Sequence, residues 1–158
     1  MDETITRTYA CEVALALEEL HQHGILYRDL KVSNVLLDRE GHAKLADFGL
    51  AKEAALTDPF VGSVSYLPPE MLVPGEKKPH TKALDWYLLG IFIYELIHGE
   101  PPFYEEDRAE MEERVLYEPP VYQAALSPGC KQAMNRLLEK DPAKRVSSLA
   151  ELKQLDWF

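Results

Sequence analysis

Tyr27-Arg28-Asp29-Leu30-Lys31-Val32-Ser33-Asn34, followed by Asp47-Phe48-Gly49, is the stretch on which the reading of this chain turns. Between the two segments, Val35-Leu36-Leu37-Asp38 and Ala43-Lys44-Leu45-Ala46 read as short strands around Arg39-Glu40-Gly41-His42, a hairpin with glycine in its loop. A hairpin folds its two ends together, so the spacing predicts that the side chain of Asn34 comes near that of Asp47. Two hard oxygen ligands for a magnesium ion, with the acidic Asp29 beside them, are a set that suits phosphoryl transfer.

In order and interval these residues resemble the protein kinase family, whose catalytic loop reads Arg-Asp-Leu-x-x-x-Asn and whose metal-binding triplet reads Asp-Phe-Gly. Pro68-Pro69-Glu70 stands where that family has Ala-Pro-Glu, and Asp85-Trp86 followed by Gly90 continues the order. The resemblance implies that Asp29 accepts the proton of a substrate hydroxyl, that Lys31 neutralises charge on the transferring phosphoryl group, and that Asn34 and Asp47 hold magnesium. ATP and Mg2+ are the implied cofactors, with Lys31, Asn34, Leu36 and Asp47 touching nucleotide or metal. Leu36 takes the place of the apolar floor under adenine, and a core-strand reading suits it equally well. Lys31 two residues after Asp29 is similar to the serine/threonine pattern. Tyr27 in place of histidine and Tyr-Ala-x-Glu-Val-Ala-Leu-Ala-Leu-Glu-x-Leu-His before it resemble the AGC group.

The segment Asp47–Glu70 resembles a kinase activation segment, and Phe60-Val61-Gly62-Ser63-Val64-Ser65-Tyr66 is similar to the Phe-Cys-Gly-Thr-Pro-Glu-Tyr of AGC kinases. Ser63 takes the place of the threonine that bonds the catalytic Asp and Lys. The phosphorylated threonine expected directly before Phe60 is replaced by Pro59. Arg28 would pair with that phosphate, so Asp58 supplies a weaker fixed charge, Thr57 is the modified residue, or activation uses something else. Asp141-Pro142-Ala143-Lys144-Arg145 matches a motif near the end of the family domain, and there Arg145 is implied to form a buried ion pair with Glu70.

Working outward, residues from about Thr4 to His21 carry Tyr9, Val13, Ala16, Leu17 and Leu20 at helical spacing, which predicts an amphipathic helix ended near Gly24. His21 and His23, two apart, point away from each other, and His21 reads as a packed or hydrogen-bonded structural residue. Pro74-Gly75 followed by Lys77-Lys78-Pro79-His80 reads as an exposed loop. Ala83–His98 is apolar nearly all round, which predicts a buried helix stopped at Gly99 with Pro101-Pro102 beyond. By resemblance, Asp85 in it bonds back to the catalytic-loop backbone. Ser127–Leu138 is a further amphipathic helix with Pro128 near its start, and Leu149–Phe158 closes the domain.

Composition supports one globular domain over residues 1–158. At 46% hydrophobic, the chain is long enough to bury most of its apolar surface. The net charge of −10 argues against a nucleic-acid grip, which needs a basic face. Glu100–Glu118 holds eight acids against Arg108 and Arg114; it reads as a solvated helix face or as an attraction for basic substrates. No run reaches the length of a membrane span, and Met1-Asp2-Glu3 lacks the features of a secretion signal. Cys11 and Cys130 read as reduced core thiols in a cytosolic or nuclear setting.

The expected fold is therefore α+β and mainly α: the large helical lobe of the protein kinase fold, with a short β-hairpin carrying the catalytic and metal-binding loops. The resemblance begins partway through the family domain, without a glycine-rich loop, a strand-three lysine or a helix-C glutamate. It implies a small nucleotide-binding lobe upstream in the parent chain. The implied function is serine/threonine protein kinase, acting on protein substrates that include basic ones; the alternative is a non-catalytic regulatory or binding fragment of a kinase.

Overall fold

A computed structural model of the protein describes residues 1–53, 64–73, 80–123 and 125–158. Helix α1 (Glu3–Gln22) starts at Asp2, whose carboxylate accepts from the amide of Ile5 at 3.0 Å. Its buried stripe is Thr6, Ala10, Val13, Ala14, Leu17 and His21. This corrects the expected stripe: Tyr9, Ala16 and Leu20 lie half-buried at its rim, because the small Ala10 and Ala14 are the residues that let the helix approach the core closely.

Strand β1 (Ile25–Leu26) follows. Next come β2 (Val35–Leu37), β3 (Ala43–Leu45) and β4 (Lys52–Glu53), which form two antiparallel pairs, β1 with β4 and β2 with β3. In the hairpin Val35 faces Leu45, Leu36 faces Lys44 and Leu37 faces Ala43. Asp38 closes its loop by accepting from the amides of Glu40 and His42, and Gly41 supplies φ +88°. The hairpin rests on α1, where Glu12 accepts from the amide of Ala43 and from His42. A sheet of two strands covers only one face. Leu36 is accordingly 57% exposed, so its core-strand reading does not hold.

Helix α2 (Lys82–His98) is buried continuously from Ala83 to Tyr94 and is ended by Gly99 at φ +89°. It packs between α1 and α4 (Pro128–Leu137), after the acidic α3 (Arg108–Tyr117). The short α5 (Leu149–Leu152) follows α4. Asp107, Ser127 and Ser148 cap these helices with side-chain oxygens. At Gly90 the approach is so close that a Cβ would stand 2.9 Å from atoms of Leu137 and Leu138. Cys130 is buried in this core, whereas Cys11 sits half-buried on the flank of α1, and neither is in a disulfide. No helix among the described residues is long and apolar enough to cross a membrane.

Candidate active site

The site hangs from α2 by one carboxylate. Asp85, fully buried, accepts from the amide of Tyr27 at 2.9 Å and the amide of Arg28 at 2.7 Å, and its Oδ2 lies 2.7 Å from His21 Nε2. A buried charge is tolerable only when it is fully bonded, and three donors meet that need here. The bond to Arg28 also holds that residue at φ +68°, a conformation a non-glycine residue adopts only when its surroundings enforce it.

Asp29 follows directly. Its carboxylate receives both Lys31 Nζ, at 3.0 and 3.1 Å, and Asn34 Nδ2, at 2.7 Å. Asn34 sits in a 3₁₀ turn (Val32–Asn34), and its Nδ2 also donates to the carbonyl of Asp29 at 2.9 Å. With the amide nitrogen turned toward Asp29, Oδ1 is the atom of Asn34 left for a cation.

The second segment enters through the hairpin ladder. Ala46 donates its amide to the carbonyl of Asn34 at 2.9 Å, which places Asp47 one residue beyond the partner of Asn34. Asp47 also has positive φ, +52°, and its Oδ1 accepts from the amide of Gly49 at 3.1 Å. Tyr27 donates its hydroxyl to the Ala46 carbonyl and meets Phe48 edge to face. Burial, with the Asp29 and Asp47 carboxylates nearby, pushes the Tyr27 phenol up to about 12, so it stays a donor at neutral pH.

Among the described residues no three His, Cys, Asp or Glu side chains gather as a metal cage. Asn34 and Asp47 can instead offer two hard oxygens, the partial ligand set that suits magnesium shared with phosphate oxygens. Leu36 presents an exposed apolar face on the hairpin between them. Thr57, Asp58 and Ser63 lie outside the described residues.

Glu70, in a 3₁₀ turn (Pro69–Met71), forms a two-pronged pair with Arg145 at 2.8 and 2.9 Å. Arg145 is fully buried, donates to the carbonyls of Ala83 and Glu139, and stacks on Tyr87. Arg28 turns its guanidinium inward, with Nε on the Leu50 carbonyl at 2.8 Å and Nη1 on His80 Nδ1 at 3.2 Å. His80 is only 3% exposed, which corrects its reading as part of an exposed loop; it immediately precedes Thr81, the exposed cap residue of α2, and Pro74-Gly75 and Lys77-Lys78-Pro79 of that loop lie outside the described residues. Glu95 on α2 accepts from the Tyr66 hydroxyl at 2.9 Å. Burial raises its carboxyl above the ordinary value, with the Tyr66 bond acting against the rise. The Tyr66–Glu95 and Arg28–His80 contacts, 29 and 52 residues apart, were not among the pairings that the sequence motifs implied.

The sequence pattern of the protein kinase domain family matches residues 1–158, and the chain belongs to that family. Within it the chain is AGC-like. It is 41% identical over 157 residues to Serine/threonine-protein kinase Sgk2 of Homo sapiens, with 97% of this chain and 42% of that protein covered. It is 39% identical over 172 residues to Protein kinase C epsilon type of Oryctolagus cuniculus, covering 99% and 23%. To the RAC family serine/threonine-protein kinase homolog of Dictyostelium discoideum it is 39% identical over 161 residues, covering 99% and 36%. The chain thus spans less than half the length of each of these relatives.

Proposed function

We propose that the parent enzyme transfers the γ-phosphoryl group of ATP to serine or threonine hydroxyls of proteins. The observation that carries this reading is the carboxylate of Asp29, held by Lys31 and Asn34 on a loop bonded to Asp85 and lying against the Asp47 segment. Asp29 orients the substrate hydroxyl and accepts its proton as the oxygen bonds to the γ-phosphorus and the bond from that phosphorus to the bridging oxygen breaks, with ADP as the leaving group. Lys31, released from Asp29 toward the phosphoryl oxygens, neutralises the charge that spreads over them. Asn34 Oδ1 and Asp47 would hold magnesium, which would supply further neutralisation of the nucleotide phosphates.

Residues 1–158 contain no Gly-x-Gly-x-x-Gly segment to cover those phosphates. A small lobe upstream in the parent chain is therefore part of the proposal, and the exposed Leu36 and Phe48 face supports it. The half-buried Glu95 is the acid that would clasp a substrate arginine, a charged hydrogen bond that contributes about 1.5–3 kcal/mol. Ser33, two residues after Lys31, leaves no second acid there. The proposed preference for basic substrates is accordingly mild and sensitive to salt.

The test is kinetic, on the full-length parent chain. Asp47→Asn should lower turnover on the order of a thousandfold. Asp29→Asn should lower it about 10²–10⁴-fold while leaving nucleotide affinity nearly as it was. Unchanged turnover in Asp29→Asn would remove the base from this reading, and activity lost only with ATP affinity would favour a binding role.

A further inference from the structure

Glu12 lies on α1, outside the candidate active site, and grips the hairpin whose two ends carry Asn34 and Asp47. Its Oε2 accepts from the amide of Ala43 at 2.6 Å, and its Oε1 lies 2.6 Å from His42 Nδ1. Burial works to raise this carboxyl, but the Ala43 amide, His42 and Lys44 together outweigh it and hold the group below its ordinary value, so it is ionised at neutral pH. An ionised acceptor makes the stronger kind of bond to an amide. We infer that Glu12 is a positioning residue of the proposed reaction: its carboxylate fixes strand β3 against α1, and through β3 it sets where Asp47 stands beside Asn34. The inference rests on the proposed function for its kinetic consequence, although the anchoring itself does not.

The ladder of the hairpin explains why this amide takes a partner from α1. Asp38 donates to the carbonyl of His42 and Ala46 donates to that of Asn34, so these residues face one another as bonded rungs. Bonded and unbonded rungs alternate in an antiparallel pair, and the amide of Ala43, next to His42, therefore points away from β2. A hairpin of two three-residue strands is marginal by itself, so its seat depends on what fastens it. Strand β2 is fastened through the side chain of Asn34, which donates to Asp29. Strand β3 is fastened by Glu12 at Ala43 and, three residues later, by Tyr27, whose hydroxyl donates to the Ala46 carbonyl. Among the described residues the two Glu12 bonds are the hydrogen bonds that join α1 to the hairpin, and the half-buried Ala43 and Leu45 add apolar contact. With Glu12 gone, β3 can pivot about its Tyr27 end. Asp47 follows Ala46 directly, at a φ of +52° that its surroundings must enforce, so that motion displaces its carboxylate relative to Asn34.

The experiment uses the full-length parent chain and two readouts: hydrogen exchange of the Ala43 and Ala46 amides without magnesium or nucleotide, and the magnesium concentration for half-maximal turnover at fixed ATP. Glu12→Ala removes both bonds, whereas Glu12→Gln keeps an oxygen for the Ala43 amide and removes the charge. In Glu12→Ala, exchange should speed about tenfold at Ala46 as well as at Ala43. Its magnesium requirement should rise about tenfold, the cost of losing an outer partner of metal ligands, with turnover at saturating magnesium within about threefold of the wild type. Glu12→Gln should stay within about threefold of the wild type in both readouts. Exchange quickened at Ala43 alone, or an unchanged magnesium requirement in an active chain, overturns the inference, because the tether would then not reach Asp47. Glu12→Gln behaving as Glu12→Ala overturns it too, since the charge and not the bond to Ala43 would then be acting. Thermal unfolding of each variant separates local release from global loss of structure; if Glu12→Ala does not fold, Glu12→Asp, one methylene shorter, takes its place with the same outcomes deciding. Quickened exchange at Ala46 in a Glu12 variant of a chain that transfers no phosphoryl group at any magnesium concentration would defeat the proposed function and leave the anchoring of β3 standing.

Discussion

Helix α2 and the β2–β3 hairpin are both written in apolar residues, and the fold treats them in opposite ways. From Ala83 to Tyr94 every residue of α2 is buried, between α1 on one side and α4 on the other. The hairpin, resting on α1, leaves Leu36 at 57% and Leu37 at 55% exposure, with Phe48 beyond it at 50%. The same kind of side chain is thus core in one element and open surface in the other. The difference separates two kinds of element: α2 is a pedestal whose packing sets stability, while the hairpin is a platform that leaves apolar side chains exposed. Asp85 joins them, since it belongs to the buried helix yet bonds the backbone of the exposed loop.

The largest test of that division is Arg145→Met. Arg145 closes the foot of the pedestal through Glu70 and three carbonyls, and removing it strands a partly buried carboxylate. One-sided loss of such a pair costs about 3–5 kcal/mol, to be read from urea unfolding. A loss under about 1 kcal/mol would class the pair with exposed ones. Next comes Gly90→Ala, where the added Cβ meets Leu137 and Leu138 at 2.9 Å. Overpacking of this kind costs about 1–3 kcal/mol, and a neutral result would mean that α2 and α4 can slide apart.

A smaller effect sharpens the border of the pedestal. Lys140 donates to the carbonyls of Arg114 and Val115, near the end of α3, and lies over the Phe103 ring. Burial, helped by Arg145 and Arg114 and opposed by Glu118 and Glu139, pushes its ammonium down to about 7 from an ordinary 10.5. The unfolded chain keeps this proton up to the ordinary value, so it binds more protons than the folded chain between about pH 7 and about pH 10.5. Stability from this group therefore rises with pH through that window, by at most about tenfold in the folding equilibrium per pH unit. Lys140→Met should flatten that rise in urea midpoints measured at neutral and alkaline pH; an unchanged slope would mean that water reaches the ammonium. The smallest effect is on the platform: Leu36→Ser should alter stability by no more than about 0.5 kcal/mol in the same unfolding assay. A cost of core size would show that the hairpin face is covered after all.

Much of this molecule was legible in the residues themselves. The start of α4 at Ser127-Pro128, the stop of α2 at Gly99, the hairpin around Gly41 and the intervals linking Asp29, Asn34 and Asp47 are local signals. Capping, turn chemistry and periodicity act over a few residues and need no knowledge of what arrives from elsewhere. Even the all-round apolar pattern of α2 carries its own conclusion, because such a helix has no face to give to water.

The tertiary structure decided which apolar residues are covered and which distant polar atoms meet. It turned the buried stripe of α1 onto Ala10 and Ala14, left Leu36 in the open, drew His80 under to Arg28, and set Glu95 against Tyr66. Glu3 shows how far this reaches: its carboxylate accepts from Ser127 and from Trp157, 124 and 154 residues away. The strength of such a bond depends on the burial and geometry created when separate elements dock, and neither is a property of the residues one at a time. Sequence alone determined the elements and the order of the chemistry-bearing residues; docking determined their environments, because exposure is set by the neighbour that packs against a face and not by the side chain that presents it.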